Sequence, residues 1–151
     1  MEKLECYYIN RGTCAIVPIE NDMSEVFELD NSFIVKKTPI EIIDESCRYF
    51  GSSYKGRNEG SKRLLGMNYK LPVLIEEFNN LIFFPTSSPR FGHCIWISLN
   101  NIKNYVKVNT NSKLIFNSDR ELLIKNSYYS LENQIFRASM LDSIIRRRRN
   151  N

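Results

Sequence analysis

The sequence predicts an α+β fold: a mainly antiparallel sheet, a helix near 39–50 and a C-terminal helix near 130–147. Three observations predict it. Thr38-Pro39-Ile40-Glu41 is a helix start, followed by apolar residues at helical spacing. From Pro72 onward, short runs rich in Val, Ile, Leu and Phe alternate with turns rich in Asn and Ser. After Ser130 an apolar stripe recurs as far as Ile145. At 151 residues, with nine Phe and eight Tyr, the chain 1–151 is read as a single domain able to bury a core.

The elements follow in order. ECYYIN at 5–10 and CAIVPI at 14–19 read as two strands joined by Arg11-Gly12-Thr13, because Gly in a short connection signals a hairpin. Residues 20–32 read as an acidic loop with a short strand near Val26 to Leu29, and FIVK at 33–36 as another strand. In the first helix Thr38 caps, Pro39 suits the first helical position and Glu41 completes a capping box. Ile40, Ile43, Cys47 and Phe50 share one face, and Gly51 is placed to end the helix. SKRLLG at 61–66 reads as a brief second helix closed by Gly66.

VLIEE and LIFFP flank Phe78-Asn79-Asn80, a hairpin turn. CIWISL at 94–99, YVKV at 105–108, KLIF at 113–116 and ELLI at 121–124 are further strands, and TSSPRFGH at 86–93 is a loop. Ser130 caps the last helix, with Glu132 in its first turn. Leu131, Ile135, Ala138, Leu141 and Ile145 form its main stripe; Phe136, Met140 and Ile144 widen it. That width suits either a surface for a homodimer or higher oligomer, or a helix buried on both flanks.

Charge is unevenly spread. The net value is +4, yet residues 1–45, 46–70, 71–100 and 101–151 carry −6, +5, −1 and +6. Two basic regions point toward a polyanion in a way the overall balance does not. Cysteines stand at 6, 14, 47 and 94 without any CxxC, and His93 is the lone histidine, so no zinc-ligand spacing exists. Cys47 with His93 is the one nucleophile–base pairing available, and nothing local marks either residue. There is no run of 18 apolar residues and no signal-peptide order at the N-terminus, which reads as a soluble cytoplasmic protein with no membrane partner.

The most informative stretch is SCRYFGSSYKGRNEGSKR at 46–63. Arg48, Lys55, Arg57, Lys62 and Arg63 supply charge; Ser52, Ser53, Tyr54 and Asn58 supply donors for phosphate or sugar oxygens. Gly51, Gly56 and Gly60 permit close backbone approach. The same composition also fits a solvated basic loop between helices, and a cation at Arg48 also suits the helix dipole. Gly51 and Gly56 have phosphate-loop spacing, but Arg57-Asn58 stands where Lys-Ser/Thr is required, so a nucleotide site is rejected. The four arginines 146–149 read as a basic arm or a solvated, frayed end.

Three segments, SCRYFGSSYKGRNEGS, WISLNNIKNY and SLENQIFRASML, resemble the ComK-type competence transcription factors of Gram-positive bacteria, in matching order and spacing. The resemblance implies a DNA-binding transcriptional activator of competence genes that recognises paired A/T-rich boxes, chiefly through the minor groove, and self-associates on the nucleoid. It implies no enzymatic activity, no metal and no cofactor. Arg48, Ser52, Ser53, Tyr54, Lys55, Gly56 and Arg57 carry over as family-pattern positions. Family members continue past the final helix into a C-terminal extension associated with activation, RNA polymerase contact and capture by a Clp adaptor. Here the chain ends RRRRNN without it. The expectation is therefore a DNA-binding domain alone, or a tail-less partner that pairs with a full-length relative without activating.

Overall fold

The computed structural model describes residues 1–150. Strands β1 (Lys3–Leu4), β2 (Thr13–Ile19), β3 (Met23–Glu28) and β4 (Ser32–Val35) precede helices α1 (Pro39–Tyr49) and α2 (Tyr54–Leu65). Then come β5 (Val73–Glu76), β6 (Leu81–Pro85), β7 (Trp96–Ser98), β8 (Ile102–Val108), β9 (Asn111–Phe116), β10 (Glu121–Ile124) and helix α3 (Tyr128–Arg149). A seven-stranded sheet has the order β1-β4-β3-β2-β7-β6-β5, and a three-stranded sheet the order β10-β9-β8. All neighbours are antiparallel except β1 and β4. The α+β class and both expected helices are present.

The large sheet is buried on both faces, which explains its unbroken apolar runs. Side chains alternate across a strand. Ile16, Val73, Ile75, Phe83 and Trp96 therefore face one layer, packed against Ile42, Ile43 and Cys47 of α1. Ala15, Leu74, Ile82, Phe84 and Ile97 face the other, against Leu114, Phe116 and Ile124 of the small sheet and Leu131, Ile135, Ala138 and Leu141 of α3. Trp96, Phe83 and Phe84 are fully buried, each contributing about 1.5–3 kcal/mol in apolar burial.

Several sequence expectations need correction. Residues 5–10 form no strand. They are held instead by single bonds, Ile9 N–H to Ser46 Oγ and Asn10 N–H to Thr13 Oγ1, both at 3.0 Å. The first hairpin is β2–β3, turning through Asn21 and Asp22 at φ 62° and 56°, positive values that Asn and Asp tolerate. The basic stretch is no loop: α2 covers 54–65, twelve residues in place of a fragment at 61–66. Helix α3 starts at a Ser127 cap rather than Ser130 and runs through Arg149, so the four arginines are helical. The capping box at Thr38–Glu41 and the Phe78-Asn79-Asn80 turn stand as expected. No helix among the described residues is long and apolar enough to cross a membrane.

Candidate nucleic-acid interface

The junction between α1 and α2 is fixed by local chemistry. Gly51 takes φ 89° after the C-cap Phe50. Its N–H donates to Arg48 O at 3.0 Å and the Ser52 N–H to Cys47 O at 2.9 Å, a Schellman closure that needs the left-handed residue. Ser53 caps α2, accepting from Gly56 N–H at 3.0 Å. Asp44 reaches across: Oδ1 accepts the Tyr54 N–H at 3.0 Å and Oδ2 accepts Arg48 Nε at 2.8 Å. The Arg48 bond first, and the Tyr54 N–H after it, hold the Asp44 carboxyl below the usual range.

Helix α2 is anchored by its inner side. Ser61 Oγ donates to Pro72 O at 2.6 Å. The Tyr54 ring stands edge-on to Trp96, with centroids 6.0 Å apart. Lys55, Glu59, Lys62 and Arg63 share the outer side and are exposed. Lys55, Lys62 and Arg63 pair with no carboxylate among the described residues. Gly56 and Gly60 flank them; a Cβ on Gly60 would meet nothing within 4 Å, so internal packing does not demand that glycine. A mid-helix glycine costs roughly 0.5–1 kcal/mol against Ala.

The fold joins two basic regions that are far apart in sequence. The end of α3 lies alongside α2, and a groove of about 500 Å³ runs between them. Gly56, Gly60 and Arg57 line it from α2 and Arg148 and Arg149 from α3, with Ser52 and Glu77 beside them. The two regions thus meet at one groove, whose lining also includes the apolar side chains of Leu64, Leu74, Leu141 and Ile145. Membership of Arg148 and Arg149 in this site is invisible in the sequence, because only long-range helix packing brings them there.

The nine expected residues fall into distinct places. Lys55, Lys62 and Arg63 present free charge at the surface, and Ser52 lines the groove. Asn58 is half-buried on α2. Ser53 is committed to capping and Tyr54 to the core, where burial raises its hydroxyl. Arg48 is 65% exposed but bonded to Asp44, so an i,i+4 pair joins the dipole as a reason for it. Arg57 is only 19% exposed and holds Glu77 through Nη1 at 3.2 Å.

The thiol alternative lacks chemistry. Cys47 is wholly buried, and burial pushes its thiol up to about 12; His93 is exposed and stacks on Phe91 at 5.5 Å. A neutral, buried thiol is a poor nucleophile. No cluster of His, Cys, Asp or Glu among the described residues could hold a metal ion.

Comparison with known proteins places the chain. The family model described as ComK protein matches residues 4–150. The competence transcription factor of Bacillus subtilis strain 168 is 34% identical over 142 residues, covering 91% of this chain and 74% of that one. No solved structure matches. With the match running through both basic helices and the sheet that carries them, the chain belongs to the ComK family.

Proposed function

We propose that the chain is a DNA-binding transcriptional regulator of competence genes that grips A/T-rich boxes mainly from the minor groove. Its family, and its likeness to a competence transcription factor, support the regulatory role. The single observation that carries DNA binding is the meeting of Arg148 and Arg149 with Arg57 and the Gly56–Gly60 edge of α2 in one groove, while Lys55, Lys62 and Arg63 add unpaired charge on the outer side of the same helix. Cations neutralise phosphates and release counterions, and the two glycines on one edge of the groove let a sugar–phosphate backbone approach α2 closely. A/T-rich minor grooves are narrow and strongly negative, which favours Arg and Lys. A gel-shift titration on an A/T-box duplex and a G/C-rich duplex at one salt concentration tests this. Equal affinity for both removes the A/T reading; no binding to either removes DNA binding.

The same reading includes self-association. Tyr129, Phe136 and Met140 of α3 are 75%, 57% and 46% exposed, on the side of the helix turned from the core. Spaced by about two turns and then one, they form an apolar seam suited to a second helix. Paired boxes suit a two-fold dimer on the nucleoid in the cytoplasm. The seam also favours a second reading, in which the chain pairs with a longer relative without activating transcription. Normal DNA affinity with a silent competence reporter would select it.

A further inference from the structure

Phe78 is 92% exposed, more than any other large apolar side chain among the described residues. It sits at the tip of the β5–β6 hairpin, whose strands are buried throughout. The tip itself is braced. Asn79 donates from its backbone N–H and its side-chain amide to the two Glu76 oxygens, at 2.7 and 2.8 Å. Asn80 takes φ 50° and donates its N–H to Glu77 O at 3.2 Å. Arg57 holds the Glu77 carboxylate from α2. The ring stands in solvent, yet the backbone beneath it is fixed.

Its position gives the exposure a use. Phe78 borders an open depression of about 500 Å³ with Phe50, Gly51, Ser52, Arg57, Glu76 and Glu77. Ser52, Arg57 and Glu77 also line the α2–α3 groove, so the two hollows adjoin. A braced apolar ring therefore stands at a hollow that adjoins the groove lined by Arg148 and Arg149. Of the two carboxylates here, Glu77 is ion-paired with Arg57, and Glu76 accepts both Asn79 N–H groups. Minor-groove proteins insert apolar side chains between base pairs, exchanging base stacking for protein surface. A flexible A/T step offers the least resistance to such entry.

We propose that Phe78 is a wedge that enters a base step from the minor groove while the α2–α3 groove holds the adjacent backbone. This rests on the DNA-binding reading above. The wedge explains why an aromatic ring is kept in water on a hairpin braced from two sides. It also explains why α2 commits Arg57 to Glu77 instead of a phosphate: the pair neutralises a carboxylate that would face DNA.

The test uses the full chain with A/T-box duplexes carrying 2-aminopurine at successive positions. Wild type should raise the fluorescence at one step beside each box, where stacking is broken. Phe78→Ala should lose that rise and bind about tenfold more weakly, the effect of removing one specific interaction. Phe78→Leu, still an apolar wedge, should keep most of the rise. Circular dichroism should show all three folded, since the ring is outside the core. Wild-type binding without a rise at any position, or a rise that survives Phe78→Ala, overturns the wedge alone. Failure of wild type to bind either duplex overturns the wedge together with the DNA reading. Phe78→Ala that binds DNA normally but fails to self-associate makes the ring a protein-facing surface and overturns the wedge.

Discussion

Asp44 accepts the backbone N–H of Tyr54 at 3.0 Å, so a residue of α1 satisfies the first turn of α2 across ten positions of sequence. Its other oxygen binds Arg48 at 2.8 Å. The basic helix is thereby aimed by an acid that sits beside it. Asp44→Ala should lower stability by about 1 kcal/mol, the scale of a lost helix cap, measured by urea unfolding. The sign with pH follows from the lowered carboxyl, held down by Arg48 first and the Tyr54 N–H second. The stabilisation is present above the unfolded-state value, around pH 4, and is lost as pH falls through the lower folded-state value. The difference between wild type and Asp44→Ala should therefore close in acid. A difference that widens in acid would refute the assignment.

Lys62 and Arg63 project from α2 with no carboxylate partner among the described residues, whereas Arg57 is tied to Glu77. Lys62→Ala/Arg63→Ala should weaken A/T and G/C duplexes alike and reduce the salt slope by about 0.9 for each phosphate no longer neutralised. Arg57→Ala should leave that slope unchanged and cost about 1 kcal/mol of stability, from the packing of its stem and a partly exposed ion pair. Paired titrations over a salt series, with thermal melts, separate the two. A flattened slope in Arg57→Ala alone would exchange their roles.

Gly60 offers a case in which stability and function move in opposite directions. Its Cβ position is open, so Gly60→Ala should stabilise α2 by roughly 0.5–1 kcal/mol. The added methyl narrows the groove toward Arg148 and Arg149, so affinity for DNA should fall. Arg148→Gln/Arg149→Gln should lower affinity for both duplexes by similar factors, with an effect that shrinks at high salt. Gly60→Ala with higher stability and unchanged affinity would show that the Gly60 edge of the groove does not touch the backbone.

How much of this is legible in the sequence depends on whether the determinant is local. Helix α1 is readable because Thr38, Pro39 and Glu41 carry the cap within four residues. The β5–β6 turn is readable from Asn79-Asn80. Helix α2 is not, because Gly56 and Gly60 each depress helix propensity by about 1 kcal/mol while its support comes from Trp96 and Pro72. The β2–β3 hairpin is hidden because Gly12 signals a turn more strongly than Asn21-Asp22, which makes it. The basic character of 46–63 is plain, but its union with Arg148 and Arg149 depends on α3 crossing the sheet to reach α2. Arg57 illustrates the limit: sequence shows a cation, and only the fold shows Glu77 beside it.

The α3 seam gives the last prediction, including its direction. Tyr129, Asn133, Phe136, Met140 and Ser143 recur at spacings of four and three on the outer side of the helix, the period of a helix pair. A parallel pair would set Arg146 to Arg149 of one copy beside the same four of the other. An antiparallel pair separates the two runs, meets Phe136 with Met140, and brings the arginine end of each copy toward Glu132 of the other. Met140→Lys should shift sedimentation to monomer at micromolar protein while the fold is kept, since that side chain is 46% exposed. In a Cys6→Ser background, which removes the exposed thiol, Asn133→Cys copies mixed with Ser143→Cys copies should crosslink, and neither should crosslink alone. Self-crosslinking of Asn133→Cys would instead require the parallel arrangement, and a wild-type monomer at that concentration would leave the seam without a second copy to meet.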